Sequence, residues 1–233
     1  MRKIKQGLKK GYEYLSGTPG IQHWLPRKVE LVAGFRKKPD FMPLSPPQKK
    51  DIKNASQVIF FWHYWWHMGG AENVFYDWMD SVAGAGNMEV WDCVCRGKNA
   101  NEEMRKKFAQ SSNHQVALDE KTSSPQRQME FLWQLICQWQ PKIIFCMTNP
   151  FFYILSPHIK THFPEIQLVD LLHCEDRDDS AFFGMSSDFM SFLDHRVVTS
   201  QYWKNVLINK YQEFPEKISV YLNGIDMQRL NPA

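Results

Sequence analysis

Gly69-Gly70-Ala71-Glu72 follows a short aromatic run, Val58-Ile59-Phe60-Phe61-Trp62-His63-Tyr64, and precedes Val74, Phe75, Trp78, Met79 and Val82 at helical spacing. A strand, a glycine turn and an amphipathic helix in this order bring backbone N–H groups and the positive end of a helix to one point, where a phosphate can be held. The two glycines permit positive φ and the close approach of a ligand. A βα turn without any ligand uses the same residues, so the turn alone leaves both readings open. His173 is the next group able to do chemistry, at the end of Asp170-Leu171-Leu172-His173. A neutral imidazole there can orient a hydroxyl or meet developing charge, or simply bond a neighbouring loop. Glu175, Asp176, Asp178 and Asp179 then form an acidic loop, suited to acceptor hydroxyls, to a cation, or to plain solvation. His63 and His67 stand four apart across a strand-to-loop junction, and Cys93-x-Cys95 lacks the two-residue gap of a zinc knuckle, so no metal site is predicted.

Those residues need a scaffold, and from about residue 55 the pattern is strand–helix alternation. Strands are predicted at 58–64, 88–95, 142–147, 166–172, 195–199 and 217–222, with a further one at 115–118. Helices are predicted near 71–84, 101–110, 125–139, 151–162, 185–193 and 201–212. The 125–139 segment carries Met129, Leu132, Trp133, Ile136 and Trp139 on one stripe, opened by Ser124-Pro125 as cap and first-turn proline. Strands such as Lys142-Ile143-Ile144-Phe145-Cys146-Met147 are apolar on both faces, as a parallel sheet covered by helices on both sides requires. The predicted class is α/β, a Rossmann-like doubly wound, mostly parallel sheet. Its ligands belong at the carboxyl ends of the strands, where loops 65–70, 148–150, 173–180, 200–202 and 223–226 gather. That edge collects His67, Gly69, Gly70, Glu72, Asn149, His173, Glu175, Asp176, Thr199, Ser200, Asn223, Gly224 and Asp226.

The 233 residues carry a net charge of +3, distributed unevenly. Residues 1–53 hold 13 Lys/Arg against 4 Asp/Glu, and the other 180 hold 15 against 21. Residues 1–16 place Ile4, Leu8, Tyr12 and Leu15 on one stripe ringed by lysine and arginine, a helix suited either to an anionic membrane surface or to docking on its own domain. Residues 17–50 contain six prolines and read as linker, so the chain divides into a basic extension, 1–54, and a domain, 55–233. The basic clusters lack an ordered aromatic platform, which argues against nucleic acid. No apolar run approaches the roughly 18 residues of a membrane span. Five scattered cysteines suit reduced thiols in a cytosolic protein better than a disulfide framework.

The ordered series Gly69-Gly70-Ala71-Glu72, Asp170-x-x-His173, Val197-Val198-Thr199-Ser200 and Val220-Tyr221-Leu222-Asn223-Gly224-Ile225-Asp226 resembles the N-terminal domain of retaining GT-B glycosyltransferases of the family-4 type. The resemblance covers roughly residues 57–233. It implies transfer of a glycosyl unit from a nucleotide-sugar donor to a glycan or lipid-linked acceptor, with retained anomeric configuration and no cofactor or catalytic metal. It implies that Gly69 and Gly70 face the donor diphosphate, with Glu72 at the same helix start. His173 would reach the donor sugar, while Thr199 and Ser200 line the cleft. Asn223, Gly224 and Asp226 form the turn before the hinge into a second domain. The sequence stops at Ala233, before the family's donor-binding half, so the expectation is an acceptor-side domain with little activity alone. Polysaccharide or glycolipid synthesis on the cytoplasmic membrane face is the matching setting. Two other readings compete. One is a non-catalytic module holding a glycan or partner in the same cleft, with Trp62, Tyr64, Trp65 and Trp66 as stacking faces. The other is a dinucleotide protein, which would need a three-glycine fingerprint that is absent here.

Overall fold

Seven apolar runs each extend for three to nine residues and pair side by side, because their two-faced burial leaves helices as the only cover. The computed structural model describes residues 57–98, 100–173 and 186–224. Its strands are β1 (Gln57–Trp65), β2 (Met88–Arg96), β3 (His114–Ala117), β4 (Ile143–Met147), β5 (Gln167–Leu172), β6 (His195–Val198) and β7 (Ile218–Val220). The helices are α1 (Gly70–Gly84), α2 (Glu102–Gln110), α3 (Leu118–Lys121), α4 (Pro125–Trp139), α5 (Pro150–His162) and α6 (Gln201–Tyr211). All pairings are parallel, in the order β3-β2-β1-β4-β5-β6-β7. The chain builds outward from β1 to β3, returns, and lays β4 on the free side of β1. Right-handed crossovers then force the two halves to carry their helices on opposite faces.

The core divides accordingly. Ile59, Phe61, Val90 and Val94 face Phe75 and Met79 of α1 and Met104 and Phe108 of α2. Val58, Phe60 and Trp62 face the other layer, with Leu132 and Ile136 of α4, Phe152 and Leu155 of α5 and Leu207 of α6. Phe61 sits 5.3 Å from the Phe75 ring and 5.0 Å from Phe145, which seats α1 over the junction of β1 and β4. Asn101, Ser124, Asn149 and Ser200 each accept a hydrogen bond from the first turn of the following helix, so four helix starts are set by local side chains.

Most predicted elements are present within a residue or two, but the helix expected at 185–193 is broken into a helical turn at 186–188 and a 3₁₀ turn, Met190–Phe192, and three further differences appear. The α3 turn and the 3₁₀ turn Pro215–Lys217 were not foreseen, since four residues or fewer carry no readable period. β7 is shorter than 217–222, because β6 itself ends at Val198: the Tyr221 N–H still donates to the Val198 carbonyl at 2.8 Å, and no strand residue lies beyond it. The glycine turn does not use positive φ: Gly69 is extended at φ −149°, and the left-handed residues are Gly86, Asn87, Gln140, Thr148 and Gln212. The extension 1–54 with its helix 1–16, the acidic loop with Glu175 and Asp176, and Asp226 lie outside the described residues.

Candidate functional site at the carboxyl edge of the sheet

A wholly parallel sheet delivers every strand end to one edge. Residues 66–70 leave β1 there, beside 148–149 from β4, His173 from β5, 199–200 from β6 and 221–224 from β7. The strand order turns back between β1 and β4, the point at which open α/β sheets bind their ligands. His173 is two strands from the glycine turn, roughly 10 Å across the sheet.

At the turn, Gly69 is the N-cap of α1 and offers no side-chain cap. Glu72, at the third helical position, folds back over it, and a Cβ on Gly69 would collide with the Glu72 carboxylate. Glu72 is held there by the Trp65 indole N–H, which donates to Oε1 at 3.1 Å. Gly70 is different. Apart from its chain neighbours and its own helix backbone, nothing lies within 4 Å of where its Cβ would stand, and its backbone is not left-handed. The exposed His67 ring lies 4.7 Å from Trp65.

The other predicted residues divide between cleft and scaffold. Asn149 is buried, receives the Phe151 N–H at 2.9 Å and donates to the His63 carbonyl at 3.3 Å, tying β4 to β1. The Thr199 hydroxyl donates to the His173 carbonyl at 3.0 Å, which joins the ends of β5 and β6. Ser200 caps α6 by accepting from Trp203 N–H at 3.3 Å. Asn223 and Gly224 are exposed beyond β7. His173 is half-buried, and burial holds its imidazole down to about 4, so the ring is neutral at ordinary pH. Its Nε2 has no hydrogen-bond partner among the described residues. That nitrogen is itself buried, and a neutral ring so placed is equipped to donate to, or accept from, a hydroxyl that reaches it.

Two buried polar networks escaped the sequence reading. In the first, His63 Nε2 lies 2.7 Å from Asp92 Oδ1, and the Trp66 indole and the Gln115 amide both donate to Asp92 Oδ2 at 2.9 Å. In the second, fully buried Arg196 bonds Asp170 Oδ2 at 3.2 Å and also pairs with Glu213. The Tyr153 hydroxyl donates to Asp170 Oδ1 at 2.8 Å. Burial pushes the Asp170 carboxyl up to about 6, with Arg196 and the Tyr153 hydroxyl pulling the other way. The available signal was a charged residue interrupting an apolar strand: Asp92 in MEVWDCVCR, Asp170 in QLVDLL and Arg196 in HRVV. Cys93, Cys95, Cys137 and Cys146 are free and buried, and among the described residues no three His, Cys, Asp or Glu side chains gather as a metal site. Among the same residues, no helix is long and apolar enough to cross a membrane.

This combination of strand order and helix layers defines an α/β Rossmann-like lobe of the kind found in GT-B glycosyltransferases. The solved structures it resembles include a glycosyltransferase from Rickettsia africae (TM-score 0.54, 12% identity, 74% of this chain and 45% of that one). Another is Anabaena Alr3699/HepE in complex with UDP (TM-score 0.54, 14% identity, 73% and 45%). A UDP-N-acetylglucosamine 2-epimerase matches at a TM-score of 0.50 and 9% identity over 70% of this chain and 48% of that one. At such identities the likeness establishes the fold, which transferases share with an epimerase. The chain spans about half the length of these structures. No protein-family model matches it, and no curated protein matches it in sequence.

Proposed function

We propose that this chain is the acceptor-side lobe of a retaining, family-4-type glycosyltransferase. It would move a hexosyl unit from a nucleotide sugar to a glycan or lipid-linked acceptor. The observation that carries the reading is Gly70. It opens α1 where the sheet order turns back, yet neither its backbone nor its packing calls for a glycine. A ligand approaching the backbone supplies the missing reason. The N–H groups of Gly69, Gly70 and the first turn of α1 would meet the donor diphosphate and offset charge on the leaving phosphate. Glu72 sets that turn. His173, neutral and with a free ring nitrogen, would bond the donor sugar. His67, Thr199 and, in the loop that follows His173, Glu175 and Asp176 would meet the acceptor, while Asn223, Gly224 and Asp226 lead toward the second lobe.

One wall of a cleft neither excludes water nor closes on a donor, so the lobe by itself should turn over little. The test is to incubate the chain with a panel of nucleotide sugars and lipid or glycan acceptors, while following the amide resonances of Gly69, Gly70 and His173. Nucleotide-dependent shifts at those three residues without rapid transfer are expected. Rapid transfer by the lone chain refutes the dependence on a second lobe, and unmoved amides refute the site. The basic residues 1–54 would form an extension that rests on the anionic inner face of the cytoplasmic membrane through residues 1–16. Flotation with anionic liposomes, with and without residues 1–50, checks this, and equal binding of both versions removes it.

A further inference from the structure

We propose that His63 and Asp92 are the positioning pair of the glycine turn, sharing one proton and holding residues 65–70 in shape from below; its functional meaning rests on reading that turn as the donor side of the cleft. Both side chains are completely buried, on neighbouring strands, on the face covered by α1 and α2. His63 Nδ1 lies 3.0 Å from the Trp65 carbonyl oxygen, which can only accept, so Nδ1 carries a hydrogen. Nε2 lies 2.7 Å from Asp92 Oδ1. With Nδ1–H as the ring's one hydrogen and the carboxylate charged, two lone pairs would face each other at that distance. One proton must therefore lie between them, on Nε2 as an imidazolium–carboxylate pair or on Oδ1 as a neutral acid–imidazole pair. Asp92 Oδ2 is already satisfied by two donors, the Trp66 indole and the Gln115 amide. The His63 ring cannot turn away, because it stacks on Phe108 at 4.7 Å and meets Phe75 at 5.5 Å.

What this pair reaches is the turn. β1 ends at Trp65, so residues 66–70 have no strand neighbour to set their course. His63 holds the Trp65 carbonyl, Asp92 holds the Trp66 indole, and the Trp66 carbonyl accepts from Asn101 N–H at 2.8 Å. The Trp65 indole in turn holds Glu72, which lies over Gly69. Two side chains in the core thus determine, through two tryptophans, where Gly69 and Gly70 present their N–H groups. A side-chain amide in place of Asp92 has one accepting atom and cannot serve both His63 Nε2 and the two donors at Oδ2, so the ring proton, and not the loss of bracing alone, identifies the shared pair.

Long-range proton–nitrogen spectra of the labelled full chain, with His63 assigned through bonds from its backbone, test the pair directly. Expected is a far-downfield, slowly exchanging ring proton and an Nε2 of protonated or shared type. A bare, imine-type Nε2 overturns the proposal. Asp92→Asn should abolish that proton and move the Gly69 and Gly70 amides and both indole resonances, with the amides of Leu171 and Val197 unmoved. It should also weaken uridine diphosphate binding roughly tenfold. Unmoved glycine amides overturn the proposal. Where Asp92→Asn does not fold, Trp66→Phe removes one donor and should still move them. A wild-type chain that binds no uridine diphosphate sinks the donor-side reading, while the ring proton and the glycine amides still decide the pair.

Discussion

Gly70→Ala separates a ligand-driven glycine from a structural one, because the two give effects of opposite sign. Gly70 is the first residue of α1, its backbone is not left-handed, and the space its methyl would enter is empty. Alanine is a better helix former and restricts the unfolded chain, so stability should rise by about 0.5 kcal/mol. On a domain this size that moves the melting midpoint up by roughly 1–2 °C. Binding should move the other way. On the proposed reading, a methyl projecting from the N-terminus of α1 would hold a diphosphate off the backbone and weaken its binding about tenfold or more, the loss of one or two hydrogen bonds. Gly97→Ala supplies the contrast. Its Cβ would collide with the Ala117 methyl and press on the buried Trp66 ring, so it should lose about 1–3 kcal/mol by overpacking. Denaturant titrations of the three proteins, paired with uridine diphosphate titrations, read both effects. A Gly70→Ala protein that is destabilised, or one that binds nucleotide as the wild type does, removes the ligand from Gly70.

Three further outcomes follow from the same geometry. Asp170, raised from 3.8 to about 6 in the fold, binds its proton more tightly folded than unfolded. Its contribution is therefore full below about pH 4 and declines as pH rises to about 6. Asp170→Asn should flatten that part of the stability–pH profile, and an unchanged slope between pH 4 and 6 would contradict the assignment. His173→Gln should keep the fold but lower transfer about a hundredfold or more when the lobe is paired with a donor-binding half, as loss of a positioned hydrogen-bonding ring implies. Equal turnover would remove His173 from the site. Thr148, a branched residue at φ 50° between β4 and α5, is strained, and Thr148→Asn should raise stability by about 1 kcal/mol in thermal melts.

The strands and helices were legible because their signals are local. Ser124-Pro125 announced α4, and the apolar stretch before Gly69 announced β1. The glycine turn was found in the right place but for partly the wrong reason, since its backbone needs no left-handed residue. Asn149 and Ser200 read as cleft residues from their position after strands. Both spend their side chains on helix caps, a use that the same position serves equally well. The His63–Asp92 and Asp170–Arg196 pairs were visible only as lone charges in apolar strands. Nothing in the chain near Asp92 says that its partner lies 29 residues earlier.

The sequence alone determined which segments are strands and helices, that both sheet faces are covered, and that a glycine turn opens α1, because apolar period and capping residues act over a few positions. Only the tertiary structure decided that β4 lies against β1, so that the turn stands where the strand order turns back, and that Asp92 meets His63 while Arg196 meets Asp170. Those outcomes depend on strand order and register between distant segments, where a slip of one residue would turn every side chain to the opposite face.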